Sequence, residues 1–237
     1  MTQMSPSPVI EDTLKTIYHL QQEAGPPVGT SAIADRLDKA QATVTSTLDR
    51  LEDQELITRE PYQGCELTDK GRTVAVEVLR HHRLLETYLA DHLDYPWEQV
   101  HEEADRLEHH ISEEFERRLA ETLENPRRDP HGDPIPGEDL EPPNQDPMTP
   151  LSACEVGDRV VITRVSDRNE DDLAYLADVG ITPGTAVHIV DVAPFGMITL
   201  DVDDTEQAIP EEVATSIRVT SLNDVDDSVS VDHRGDA

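Results

Sequence analysis

Cysteine, lysine and aromatic residues are all scarce in this chain. Its two cysteines, Cys65 and Cys154, share no CxxC spacing, so neither a disulfide framework nor a thiolate zinc site follows. No stretch approaches the roughly 20 apolar residues of a membrane span, and no N-terminal apolar run has the build of a signal peptide. These absences predict a soluble, cytoplasmic protein without a membrane partner. A nucleophile elbow, a phosphate-binding loop and a thiolate centre are also missing, which argues against an enzyme and against an organic cofactor.

Basic charge is short as well. Fifty-one acidic residues stand against 19 basic ones, a net charge of −32. Alone, that balance repels a polyanion. Yet acidic residues spread through every segment, with few lysines and 3% aromatics, are the pattern of adaptation to molar salt, as in a halophile's cytoplasm. There the Debye length falls to about 3 Å or less, and local contacts decide. All the lysines (Lys15, Lys39 and Lys70) fall within residues 1–72, which carry seven basic and 12 acidic residues, whereas the remaining 165 carry 12 and 39. The first third is therefore the least hostile to nucleic acid.

What is present begins with an apolar stripe, Ile10, Leu14, Ile17, Tyr18 and Leu20, which predicts a helix over residues 9–23. Gly25-Pro26-Pro27 ends it. A short helix from Ala32 to Leu37 follows, then a turn at Asp38–Gln41. A longer helix runs from Ala42 to Gln54 with Val44, Leu48 and Leu51 inward. Leu56–Arg59 and Cys65–Thr68 read as strands joined by a turn at Pro61–Gly64. This is the order of a winged helix-turn-helix. Residues 69–94 form a long helix and 97–125 two more. The proline-rich stretch Asn125–Pro150 reads as a tether. Short strands at Val160–Ile162, Ala186–Val190 and Met197–Leu200, with a helix near Asp171–Asp178, suit a small β-barrel.

The fold expected is mainly α with a C-terminal β domain: a DNA-binding domain over 1–72, a helical metal-binding and dimerisation domain over 73–142, a linker over 143–150, a β-barrel over 151–222 and a disordered acidic tail over 223–237. In the dimer, Leu89, Leu93, Trp97 and Val100 are candidate contacts.

The helix from Ala42 presents Gln41, Thr43, Ser46, Thr47 and Arg50 opposite its apolar stripe. Short hydroxyl and amide side chains at a helix N-terminus reach base edges and phosphates in the major groove. Lys39 before the helix, and Arg59 and Lys70 beside the wing, join Arg50 as candidate phosphate contacts. Double-stranded DNA is the partner these features predict.

A second constellation lies beyond. His101, Asp105, Glu108 and His109 fall at i, i+4, i+7 and i+8, one face of a helix if the helix is continuous. His82 and Glu86 are an i, i+4 pair upstream, and Asp12 offers a further oxygen. Imidazoles and carboxylates from packed helices are how bundles build metal centres. Without sulfur the set favours Mn²⁺ or Fe²⁺ by hardness, while Zn²⁺ and Co²⁺ bind such ligands more tightly.

Asp12 to Tyr18, the helix-turn-helix, His82 to Glu86, Val100-His101 with Glu108-His109, and Pro130-His131-Gly132-Asp133-Pro134-Ile135-Pro136 together resemble the diphtheria toxin repressor/manganese transport regulator family, here of a haloarchaeal type. Residues 151–220 are similar to the FeoA-like barrel many members carry. The resemblance implies a metal-activated homodimeric regulator of manganese or iron uptake genes. It implies a primary site of Asp12, Asp105, Glu108 and His109. A second site would use His82, Glu86 and His101, or Glu86 with His131, and a barrel ligand would come from Asp167 to Glu170. Three positions depart from relatives. Asp129 stands where some have cysteine before Pro-His-Gly. Asp12 and Asp105 stand where iron-type members have Met and Cys. Lys15 stands where manganese-type members have Glu, and a lysine ammonium cannot ligate.

Such a site predicts a switch. Metal joining Asp12 to the later helices would fix the recognition helices roughly 34 Å apart for successive major grooves. Without metal, Asp12, Asp105 and Glu108 would crowd negative charge and push the domains apart. Two other readings remain open at this point: a di-metal carboxylate enzyme on a helical bundle, for which only Glu98-x-x-His101 has the spacing, and a winged-helix regulator sensing an organic ligand.

Overall fold

A computed structural model describes residues 7–60, 63–142, 148–194 and 196–222. The turn residues Pro61 and Tyr62, most of the expected linker and the tail beyond 222 lie outside them. The chain divides into two compact units, one of Met1–Leu85, Ala104–Arg127 and Ile135–Pro143, the other of Glu86–Glu103, Arg128–Pro134 and Asn144–Ala237.

The first unit opens with α1 (Pro8–Ala24), α2 (Thr30–Arg36), α3 (Gln41–Asp53) and a hairpin of β1 (Ile57–Glu60) and β2 (Gly64–Leu67). Proline at the start of α1 costs no hydrogen bond there, and Gly25 at φ +79° ends the helix. Ile10, Leu14 and Ile17 of α1, Ile33 of α2, Val44, Leu48 and Leu51 of α3 and Ile57 of the hairpin share one core. Burying each such side chain stabilises by about 1.5–3 kcal/mol relative to exposure. The hairpin pairs Ile57 with Leu67 and Glu60 with Gly64. A Cβ at Gly64 would lie 2.2 Å from the Val28 carbonyl oxygen, so only glycine lets the wing lie against that backbone.

From here α4 (Asp69–Leu93) and α5 (Val100–Leu107) run on, a 3₁₀ turn covers Glu108–His110, and α6 (Glu113–Thr122) follows. The sequence spacing placed His101, Asp105, Glu108 and His109 on one helical face. The helix instead ends at Leu107 and tightens, which turns Glu108 and His109 out of the register His101 follows. His101 belongs to the second unit and the other three to the first.

The second unit holds β3 (Thr149–Pro150), β4 (Arg159–Val165), α7 (Glu170–Asp178), β5 (Ala186–Val192), β6 (Met197–Val202), β7 (Thr205–Pro210), α8 (Glu211–Ser216) and β8 (Ile217–Ser221). They form an antiparallel sheet in the order β3-β8-β4-β5-β6-β7, over a core including Leu151, Ile162, Leu173, Leu176, Ile189, Leu200 and Ile217. Sequence patterning missed β7 because, as an edge strand, it buries only Ile209.

The proline-rich stretch corrects another expectation. Residues 128–134 are packed, with His131, Asp133 and Asp129 buried. One Asp129 carboxylate oxygen accepts from the backbone N–H of both His131 and Asp133 at 2.9 Å. Prolines carry no N–H, so the loop has few backbone donors, and this one carboxylate takes two of them. A Cβ at Gly132 would meet the Thr163 carbonyl oxygen at 2.0 Å, and the Val165 N–H donates to the His131 carbonyl. The Pro-His-Gly-Asp loop is thus seated on β4.

Leu89 and Val100 are buried within the chain itself and Trp97 packs on the second core, so these three are not free dimer contacts. Leu93 is 50% exposed.

Candidate metal centre

Within the first unit, α1 supplies Glu11, Asp12 and Lys15, α4 supplies His82, and the end of α5 with its 3₁₀ turn supplies Asp105, Glu108 and His109. One oxygen of Asp12, one of Glu108 and a ring nitrogen of His109 lie within 4.8 Å of one another. The His109 Nε2 is 2.9 Å from Asp12 Oδ1 and 3.4 Å from Glu108 Oε1. Its Nδ1 is held at 2.6 Å by Glu11 Oε2. The Asp12 bond first and the Glu11 bond second push the His109 pKa up to about 9, against burial, which lowers it. His109 is therefore an imidazolium at neutral pH, and an ion taking Nε2 must displace its proton.

Asp105 belongs to the other side of Glu108. Lys15 Nζ donates to Asp105 Oδ1 at 3.0 Å and to both Glu108 oxygens at 2.6 and 2.9 Å. His82 Nδ1 faces the same two carboxylates, 2.6 Å from Glu108 Oε2 and 3.3 Å from Asp105 Oδ1. Burial works against the charge on Lys15, but Glu108 and then Asp105 outweigh it and hold the ammonium above its ordinary pKa. Lys15 and His109 thus offset two of the four negative charges that Glu11, Asp12, Asp105 and Glu108 bring, which reduces the expected metal-free repulsion between α1 and the α5 turn.

Glu11 is the residue the sequence reading missed. It is 8% exposed on α1, next to the core residue Ile10, and an acid so buried has a partner. By holding Nδ1 it aims Nε2 at Asp12 and Glu108, the support a ligating histidine needs. Substituting Glu11→Gln is expected to weaken ion binding about 10- to 100-fold. It should also bring the His109 pKa, followed by NMR, below about 9, with the circular dichroism spectrum unchanged.

In the second unit, Glu86 Oε1 lies 3.2 Å from His101 Nδ1, which lies 3.2 Å from Asp167 Oδ2. His101 outweighs burial and holds Asp167 well below the usual carboxylate range. His131 is fully buried. Its Nε2 meets the Trp97 carbonyl at 3.1 Å and its ring stacks near Trp97, so its Nδ1 faces Glu86 Oε1 at 3.7 Å. Burial lowers its pKa, but the charge of the facing Glu86 carboxylate, with Asp129 and Asp167, prevails, bringing it to about 8. Of the stretch Asp167–Glu170, Asp167 is the member found with His101. Asn169 caps α7, accepting from Asp171 and Asp172, and so fixes the turn that presents it.

On α3, Gln41, Thr43, Ser46 and Arg50 are exposed, as is Lys39 before it. Thr47 is not on that face: it is 8% exposed and its hydroxyl donates to the Thr43 carbonyl. It sits one turn from Val44 and beside Leu48, on the edge of the apolar stripe. Arg59 turns back to the Asp49 and Glu52 carboxylates of α3, and Lys70 donates to the Gln54 carbonyl at the end of α3. Arg59 thus ties the wing to α3, while Lys70, exposed at the start of α4, ties that start to the end of α3.

Three family models match in chain order. They are the iron dependent repressor N-terminal DNA binding domain over 6–65, its metal binding and dimerisation domain over 68–137 and the FeoA domain over 149–221. The iron-dependent repressor IdeR of Mycobacterium tuberculosis is 37% identical over 221 residues, covering 88% of this chain and 95% of the relative. The diphtheria toxin repressor of Corynebacterium diphtheriae is 34% identical over 218 residues, with the same coverages. A manganese-dependent transcriptional repressor solved with manganese superposes with a TM-score of 0.83 at 35% identity, over 90% of this chain and all of that one. The chain belongs to the diphtheria toxin repressor/manganese transport regulator family of metal-dependent, DNA-binding transcription repressors.

Proposed function

We propose that this chain is a homodimeric repressor of manganese or iron uptake genes, acting in the cytoplasm. Its grip on DNA is set by Mn²⁺ or Fe²⁺ held by Asp12, Glu108 and His109. Domain limits at 1–72, 73–142 and 151–222 suit this division of labour. Lys39, Gln41, Thr43, Ser46 and Arg50 are the surface offered to the operator. Glu86, His101, Asp167 and His131 form a second ion site in the other unit. The observation that carries the reading is Asp12 Oδ1 lying 2.9 Å from His109 Nε2 beside Glu108. An α1 carboxylate thereby shares a ligand set with the turn after α5. Asp12, Glu108 and His109 would hold a divalent ion, which would supply the positive charge that the His109 proton provides without it. Asp12 and His109 would then be joint ligands rather than an ion pair, a stiffer link between α1 and that turn. Two carboxylates and one imidazole, with no sulfur, suit Mn²⁺ or Fe²⁺.

The alternative of an organic-ligand sensor makes a different calorimetric prediction. With the His109 pKa about 9, affinity for Mn²⁺ should rise with pH up to that value and level off above it. Titrations in buffers of differing ionisation enthalpy should show close to one proton released per ion at this site near neutral pH. An organic-ligand sensor would give no stoichiometric Mn²⁺ uptake and no linked proton.

A further inference from the structure

His82, Asp105 and Glu108 also bring ligand atoms within 4.8 Å of one another, so the first unit holds two ligand sets that share Glu108. We propose that the Lys15 ammonium is the permanent second cation of this centre. It occupies the position between Asp105, Glu108 and His82 and restricts the first unit to one divalent ion. The inference rests on the reading of Asp12, Glu108 and His109 as the ion site.

Three observations carry it. Lys15 Nζ is within 3.0 Å of three carboxylate oxygens at once, the pattern of contacts a cation makes rather than a stray surface pair. The contact is enclosed: Glu108 has no exposed side-chain surface and that of Lys15 is 15% exposed. The ammonium stands within 3.0 Å of Asp105 Oδ1 and both Glu108 oxygens, so an ion placed between Asp105, Glu108 and His82 at a bonding distance of about 2.0–2.2 Å would collide with it unless Lys15 leaves, whereas the Asp12 and His109 side of Glu108 stays open.

A consequence follows for the switch. Lys15 ties α1 to the α5 turn without metal, and the ion's task narrows to joining Asp12, Glu108 and His109 as ligands in place of the His109 proton. The response to metal within this unit should therefore be that of one ion, not of a cooperative pair.

Counting and resolving Mn²⁺ ions on the full chain by equilibrium dialysis and electron paramagnetic resonance tests this. Wild-type protein should show only magnetically isolated Mn²⁺. The Lys15→Glu variant should take up one further equivalent per chain, with the spin-coupled spectrum of two ions sharing Glu108. Lys15→Met, which removes the charge without adding a ligand, should take up the same extra ion more weakly, and serves if Lys15→Glu does not fold. A spin-coupled pair in wild-type protein overturns the role of Lys15, as does no extra ion in a folded variant of either kind. Absence of any Mn²⁺ that Asp12→Ala removes overturns the ion-site reading itself, and this proposal with it.

Discussion

Replacing Asp12 by Ala is expected to cost the protein essentially all of its metal-dependent gain in operator affinity while leaving the fold intact. Asp12 is half-exposed, with 45% of its side chain accessible, and no core packing depends on it. Its carboxylate is the α1 oxygen in the Asp12, Glu108, His109 set. Without it, ions still find Glu108 and His109 but no longer join them to α1 through Asp12, and a ligand that does not distinguish two states shifts neither. Gel-shift titration with Mn²⁺ should show wild-type protein gaining affinity with metal and Asp12→Ala remaining at its metal-free level. An unchanged metal response in the variant would contradict the assignment.

Replacing Glu108 by Ala should strike stability rather than signalling alone. Glu108 is fully buried and receives Lys15, His82 and a contact from His109, and its backbone carbonyl meets His81 Nδ1. Removing one partner of a buried ion pair leaves the other charge desolvated, at a cost of about 3–5 kcal/mol. Molar salt relieves this little, because a buried pair is weakly screened. The urea midpoint of Glu108→Ala should fall accordingly, and adding Lys15→Met should restore much of the loss, since no ammonium is then stranded. Equal losses in the single and double variants would show that Glu108 is not paired as the geometry has it.

The sequence reading and the structure part company at identifiable places. The winged helix-turn-helix was legible because Val44, Leu48 and Leu51 repeat at helical spacing and Gly25-Pro26-Pro27 punctuates the chain. Asp12, Glu108 and His109 were named from spacing and resemblance, and the structure brings them together. Spacing misled in setting His101 on one face with Glu108 and His109, because it assumed a continuous helix and the chain tightens into a 3₁₀ turn at Glu108. Composition misled at residues 128–134, where prolines suggested a tether. There a buried Asp129 carboxylate accepts two of the loop's backbone hydrogen bonds, something no count of prolines reveals. Glu11 and the place of Lys15 depend on contacts some 90 residues distant in sequence. Periodicity carries nothing about such pairings. Thr47 shows a smaller version of the same limit: one helical position separates the exposed face from the core.

The most direct test of the central claim is fluorescence anisotropy of duplex DNA from upstream of a neighbouring metal-transporter gene. It would be titrated with wild-type protein in molar KCl, with Mn²⁺, with Fe²⁺ under anaerobic conditions, and with excess chelator. Affinity should rise at least tenfold with either ion, about 1.4 kcal/mol of coupling, and chelator should reverse the gain. Equal affinity with metal and with chelator would contradict the account.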